Sequence, residues 1–427
     1  MTAPSASGAT PLPLWIARLC GDQETMGRQH GELLRPLSGW AEVLDHYPDM
    51  PERMLLGKRS ERALSRGAAW TLRTIGDRML DRLDAARPPA YRARTRAFLE
   101  ALGRSPDEAR YLAVMDLFQN TVNLAARLRL GPFRRPFLAA AVHGAVPACS
   151  SVAVWGRASA GGSLRHARNF DFPGVGVWDH APTVVFCSPD RGLRYGFVAT
   201  RGADAPGVTA FNEAGLTISA HTRFHRAIRS RGAMAVDIGH DLVRRCETIA
   251  DAVAVARERP SASTWGFLVS SARERRAAMI ELSGSRCEVV EVSGEADSLA
   301  CTNRNRHPAM LAGQVAASPG WAAHSDTRER RLVELVAAGR ERGGITAEGL
   351  RAALGDRVDP TDPAQRERGA GGVISQPWTV KRVVVEPAER ALHIAVGAAP
   401  TARGPWLRVA WPWADAPVAG EVSPSRT

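Results

Sequence analysis

The chain has 427 residues, 44% of them hydrophobic, with a formal net charge of +12 and a sequence pI near 10.3. That apolar content excludes a disordered polycation. The charge does not single out nucleic acid as a partner. Of the 56 basic residues only Lys58 and Lys381 are lysine, and the excess divides evenly between residues 1–148 and the rest, with no basic block.

No secretory signal is evident, because the start MTAPSASGATPLPLW lacks a basic region followed by an apolar run. The longest apolar stretch, Pro136–Cys149, is broken by His143 and Pro147 and falls short of the ~20 residues a spanning helix requires. A cytoplasmic protein with no membrane partner is therefore expected. The six cysteines, Cys20, Cys149, Cys187, Cys246, Cys287 and Cys301, form no C-x-x-C and are read as free thiols.

The first third reads as helical. Gly21–Tyr47 carries a helical pattern interrupted by Pro36. Leu64, Ala68, Leu72, Ile75, Met79 and Leu83 recur at spacings of three and four. Pro88-Pro89 can start a further helix and Gly103 can stop it. Ser105, Pro106 and Glu108 predict a capping box at the head of a helix running to about Arg129. Residues 132–148 form a Pro-, Ala- and Gly-rich connector.

From Cys149 onward the period shortens to two. Strands are predicted at 151–155, 164–170, 183–187, 194–200, 208–211 and 216–221, and helices at 235–246 and 249–259. Strands follow at 265–270, 277–282 and 287–292, a helix near 325–338, and strands near 380–385 and 392–396. Strands in runs and helices in pairs indicate an α+β fold, organised as a helical segment 1–148 and a layered domain 149–427.

Cys149 stands where the two textures meet, at the head of the first strand. A lone cysteine is usually core filler. Here Arg168-Asn169-Phe170-Asp171 closes the return strand of the same hairpin, which brings Arg168 and Asp171 beside the thiol. A guanidinium there favours thiolate, the form a nucleophile needs. An ordinary salt bridge between Arg168 and Asp171 is the plainer alternative.

Several strings together resemble a known family: Ala148-Cys149-Ser150-Ser151-Val-Ala-Val-Trp-Gly156, Arg168-Asn169-Phe170-Asp171-Phe172, Phe211-Asn212-Glu213-Ala214-Gly215-Leu216 and Cys301-Thr302-Asn303. In this order they are similar to the N-terminal-nucleophile (Ntn) hydrolases of the bile salt (choloylglycine) hydrolase and isopenicillin N acyltransferase type. Gly21-x4-Met26-Gly27-Arg28-Gln29-His30-Gly31 also resembles the early segment of the acyltransferase branch.

The resemblance implies a four-layer αββα sandwich preceded by a helical pro-segment. It also implies self-cleavage between Ala148 and Cys149, giving pieces of 148 and 279 residues. Relatives in the acyltransferase branch are cut after Gly, whereas here Ala148 follows Pro147. The cut would expose the Cys149 α-amine, whose pKa near ~7.7–8.0 in model peptides suits general-base work.

By the same resemblance Cys149 is nucleophile and base, Arg168 the cation beside it, and Asp171 the acceptor orienting the amine. Asn212 takes the oxyanion position, although Asn-Glu-Ala-Gly also suits a turn. Asn303 is the second Asn, and the remaining Arg is Arg328, with Arg330 and Arg331 as alternatives. The implied activity is that of an amidohydrolase or acyltransferase working on a linear amide or an acyl thioester such as acyl-CoA. The other-class reading is a non-catalytic small-molecule-binding protein that keeps the fold.

Trp155, Trp178 and Trp265 are candidates to line an acyl pocket. His221 and His225 lack a third nearby ligand, so no metal and no cofactor is expected. The N-terminal piece is expected to stay bound after cleavage, because its stripes are too apolar to face water.

Overall fold

The computed structural model describes residues 12–56, 66–127, 148–172, 174–229, 231–292, 296–315, 319–362, 364, 367, 371–413 and 418–422. The chain opens with strand β1 (Leu14–Gly21), then helices α1 (Gln23–Leu34), α2 (Trp40–Leu56), α3 (Arg66–Ala85) and α4 (Pro89–Ala101). A 3-10 segment, Pro106–Ala113, runs into α5 (Val114–Arg127).

Strands β2 (Ala148–Val154), β3 (Arg165–Asp171), β4 (Pro182–Pro189), β5 (Tyr195–Thr200), β6 (Thr209–Asn212) and β7 (Leu216–Thr222) come next. Helices α6 (Ala235–Arg245) and α7 (Ile249–Glu258) precede β8 (Trp265–Ser271), β9 (Arg276–Leu282), β10 (Cys287–Glu291) and β11 (Ser298–Cys301). Helices α8 (Pro319–Glu341) and α9 (Ala347–Leu354) lead to β12 (Thr379–Glu386), β13 (Ala391–Ala395), β14 (Trp406–Ala410) and β15 (Val418–Val422). Among the described residues no helix is long and apolar enough to cross a membrane.

The strands form two sheets. One has nine strands in the order β10-β9-β8-β7-β6-β5-β4-β1-β15; the other has six, β11-β2-β3-β12-β13-β14. The sheets face each other through apolar clusters. Val184, Phe186 and Phe211 of the larger sheet meet Val383, Val385 and Ile394 of the smaller. Nearer β2, Ala153 and Leu299 meet Leu268 and Met279. Helices α8 and α9 cover the outer face of the six-stranded sheet, where Leu332, Val336 and Leu350 pack on Val152, Val154 and Val384. Helices α6 and α7 cover part of the outer face of the nine-stranded sheet. The result is the expected four-layer αββα sandwich.

This layering explains why β2 does not alternate between buried and exposed. Val152 and Val154 face the helices while Ala153 and Trp155 face the other sheet, so both sides are dry.

The segment before residue 148 differs from a purely helical one. Leu14–Gly21 lies inside the large sheet, parallel to β4 and antiparallel to β15. Helices α1 and α4 then lie over that end of the sheet, with Met26, Leu34 and Phe98 in the core it shares with Val185 and Phe197. A Cβ at Gly27 would lie 2.1 Å from the Arg94 carbonyl oxygen, and one at Gly31 would lie 2.5 Å from that of Phe98. The Gly27-x3-Gly31 spacing therefore lets α1 and α4 touch backbone to backbone.

Two helical expectations shift. On α3, Leu83 is buried and Met79 half-buried as expected, but Ile75 is exposed while Leu80 and Asp84 are buried; Leu64 lies outside the described residues. Ser105 does cap the 3-10 segment by accepting the Asp107 N–H, but the Glu108 carboxylate accepts from Arg104, so no capping box closes. Of the expected connector, 132–147 lies outside the described residues.

Candidate active site

The β2–β3 hairpin sets the site. Cys149 stands opposite Phe170 and Ala148 opposite Asp171, so the start of one strand meets the end of the other. The Arg168 guanidinium reaches back along the inner face. Its Nη2 lies 3.6 Å from Cys149 Sγ, and it donates to the carbonyls of Val208 (2.5 Å) and Ala220 (2.6 Å). Those two carbonyls, with the Phe170 ring 5.1 Å below the cation, hold the guanidinium in place.

The other side of Cys149 is built from the loop after β11 and from α8. The Cys149 N–H donates to Asn303 Oδ1 at 2.8 Å. Arg328 of α8 donates to that same oxygen (2.9 Å), to the Cys149 carbonyl (2.7 Å) and to Ser150 Oγ (2.8 Å). Asn303 is pinned in turn: its N–H donates to Ser325 Oγ and its Nδ2 to the Thr222 carbonyl, both at 3.0 Å. Cys149, Arg168, Asp171, Asn303 and Arg328 thus come together from four separate stretches of chain, and all are buried. Of the three arginines weighed for the last position, Arg328 is the one in contact, whereas Arg331 pairs with Asp356.

Burial dominates the electrostatics. It pushes the Cys149 thiol above its ordinary value, and Arg168 pulls back only part of the way. The residue is therefore held as a thiol rather than a thiolate. Burial also pushes the Asp171 carboxyl up to about 7, against the pull of Arg328, the Thr379 hydroxyl and Arg168. Asp171 Oδ1 accepts from Thr379 Oγ1 at 2.6 Å, while Oδ2 is buried with no hydrogen-bond partner among the described residues. This unpartnered acceptor belongs to the residue that stands opposite Ala148 in the hairpin. His166, held between Ser219 and Ser270, is pushed down to about 3 by burial and stays neutral.

Two residues lie elsewhere than expected. Asn212 is not an oxyanion donor: its Nδ2 donates to the carbonyls of Val243 and Cys246, and its Oδ1 accepts from Leu216 N–H. It ties the β6–β7 turn to the end of α6, which is the turn role its Asn-Glu-Ala-Gly context also suited. Trp155 is not in the wall of the cavity that Trp178 and Trp265 line; it packs between the sheets with Leu164, Leu268 and Met279. His221 is buried within β7, whereas His225 lies beyond that strand and accepts from the Ala227 N–H, so their spacing is not that of a helix face.

A cavity of about 100 Å³ opens against this cluster. Its wall includes Phe170, Val208, Ala220 and Thr222, the residues that hold Arg168 and Asn303, together with Trp178 and Trp265. Tyr47, Leu112, Met115 and Asp116, from the segment before residue 148, complete it. The wall is mostly apolar, as small-molecule pockets generally are.

Residues 165–397 match the family described as acyl-coenzyme A:6-aminopenicillanic acid acyl-transferase. The chain belongs to this acyltransferase family. That places it in the branch of the Ntn hydrolases that its motif order resembles. No curated protein matches the chain. Among solved structures, a Caenorhabditis elegans ortholog of N-acylethanolamine-hydrolyzing acid amidase is 15% identical, with 56% of this chain and 93% of that one covered at a TM-score of 0.40. A mutant of a conjugated bile acid hydrolase from Clostridium perfringens is 9% identical, with 58% and 89% covered at a TM-score of 0.39. The family match starts at β3 and includes Arg168, Asp171, Asn303 and Arg328, while Cys149 lies upstream of it.

Sequence reading missed Thr379, Ser325 and Ser150, the hydroxyls that orient Asp171, Asn303 and Arg328. A lone Ser or Thr carries no motif. It also missed Lys381 in the cavity wall, for which one signal existed: it is one of two lysines in an arginine-rich chain.

Proposed function

We propose that the protein is a self-processing cysteine amidohydrolase or acyltransferase that works through an acyl-Cys149 intermediate. The observation that carries this reading is the arrangement around the Cys149 backbone nitrogen. Its N–H is held by Asn303, and Asp171, whose Oδ2 has no hydrogen-bond partner among the described residues, stands opposite the preceding Ala148. An amide has no use for a second acceptor there, but an α-ammonium with three protons does.

In processing, Cys149 Sγ attacks the Ala148 carbonyl carbon. The C–N bond breaks, the acyl group moves to sulfur, and water hydrolyses the thioester. The products are an Ala148 carboxylate and a free α-amine on Cys149. Residues 1–148 and 149–427 then become two pieces of one molecule. In turnover the amine takes the Sγ proton, and the thiolate attacks the substrate carbonyl. With Asn212 engaged elsewhere, the second Nδ2 proton of Asn303 and a backbone N–H are the donors assigned to the oxyanion. The ammonium returns its proton to the departing amine or thiol, and water or an amine then takes the acyl group. The substrate is a small acyl donor, an N-acyl amide or an acyl thioester.

Intact mass tests the first half. The purified wild-type chain should appear as pieces of 148 and 279 residues, and Cys149→Ala should stay whole at 45.9 kDa. A Cys149→Ala chain that still splits there would remove Cys149 as nucleophile. A wild-type chain that stays whole and forms no acyl adduct would leave the binding-protein reading.

A further inference from the structure

Lys381 has a position that the reaction described above does not use. It lies on β12 opposite Phe170, which itself lies opposite Cys149 on β2. Three neighbouring strands thus carry thiol, ring and amine in register, which puts the two outer Cα atoms about 10 Å apart at ~4.8 Å per strand. Lys381 is 5% exposed and lines the same cavity as Phe170.

Its surroundings leave its charge unanswered. Among the described residues the Lys381 hydrogen bond is to the Trp178 carbonyl, one partner for an ammonium with three protons. The acid that acts on it is Asp179, whose two oxygens already accept from the Gly176 and Ala399 N–H groups. Asp116, the carboxyl in the cavity wall, accepts instead from Ser263 and Trp265. The cavity wall that Lys381 shares includes Phe170, Phe172 and Trp178. Burial accordingly pushes Lys381 down to about 7, as expected of an amine with no adequate counter-charge. A buried cation in an apolar wall is costly unless something that enters the cavity pairs with it.

We propose that the substrate carries a carboxylate remote from its scissile carbonyl, and that Lys381 selects for it. This rests on the acyl-Cys149 reading and adds the substrate class. The carboxylate can belong to the acyl half or to the amine half, and two pairs of donors separate these. Glutaryl p-nitroanilide against pentanoyl p-nitroanilide tests the acyl half. The pentanoyl amide of 4-aminobenzoate against pentanoyl anilide tests the amine half.

For wild-type protein, kcat/KM should favour the charged member of one pair by about 10- to 100-fold, the range for a hydrogen bond between charged groups. Lys381→Met should erase that ratio, and Lys381→Gln serves if the Met variant does not fold. Two outcomes overturn the proposal: no preference in either pair, or a substitution that lowers both members by the same factor, which marks Lys381 as a tie for the Trp178 loop. Acyl-adduct mass on the Cys149 piece is the separate readout for the underlying reading. An adduct without carboxylate preference defeats only this proposal, and no adduct with any donor defeats both.

Discussion

At Asp171, burial and charge pull in opposite directions. Its carboxyl, ordinarily near 3.8, stands at about 7 in the folded chain. Between those values the folded state holds a proton that the unfolded state has released. Stability from this group is therefore complete below about pH 4 and is lost as pH rises toward 7. A displacement of that size corresponds to on the order of 4 kcal/mol at most. In Cys149→Ala, which keeps the chain whole, urea midpoints should decline over that window, and adding Asp171→Asn should flatten the decline. Parallel curves for the two proteins would show that Asp171 does not titrate in this way. In the proposed cut form an ammonium beside Asp171 would restore the carboxylate, so a group that destabilises the uncut chain near neutral pH would stabilise the cut one.

The helical element that matters most before residue 148 is the α1–α4 pair. Gly27 touches the Arg94 backbone, and a rotamer change cannot move a carbonyl. Gly27→Val should push α1 off α4 and cost about 1–3 kcal/mol, read as a lower urea midpoint; an unchanged midpoint would mean the helices have slack. The glycines were legible in the sequence as a motif, but their reason was not, because the partner lies more than 60 residues away. The same division runs through the site. Cys149, Arg168 and Asp171 share one hairpin, so local pairing alone placed them together. Asn303 and Arg328 came from motif order, and three arginines within four residues left the choice among them to the structure. Asn212 misled because a turn amide and an oxyanion amide have the same sequence context. The difference is the pair of carbonyls at the end of α6, which no local pattern shows. β1, β11, β14, β15 and α9 escaped prediction because each takes its identity from neighbours distant in the chain.

Across the whole molecule, the two proposed pieces are joined by buried polar contacts as well as by the core. Arg94 of α4 forms a two-pronged pair with Asp204 at 2.7 and 2.8 Å, joined by His30 of α1 at 3.1 Å. Arg87 pairs with Asp237 at 3.1 Å, and the Tyr91 hydroxyl donates to Asp241 at 2.6 Å. The cavity wall also draws on both sides of the cut. After processing the pieces should co-elute in size-exclusion chromatography and separate only in denaturant. Asp204→Ala, which leaves a buried guanidinium unpaired, should lower stability by about 3–5 kcal/mol. Pieces that part under native conditions would contradict this architecture. The placement of β1 also bears on timing. Among the described strands it is made first, and in the sheet it sits between β4 and the one made last, β15. A chain leaving the ribosome from its N-terminus cannot pair β1 on its second side until residues 418–422 emerge. A break at residue 148 during synthesis would set β1 adrift before its second neighbour existed. Under the proposed cleavage, the order of strands favours a cut made only after β15 has been synthesised.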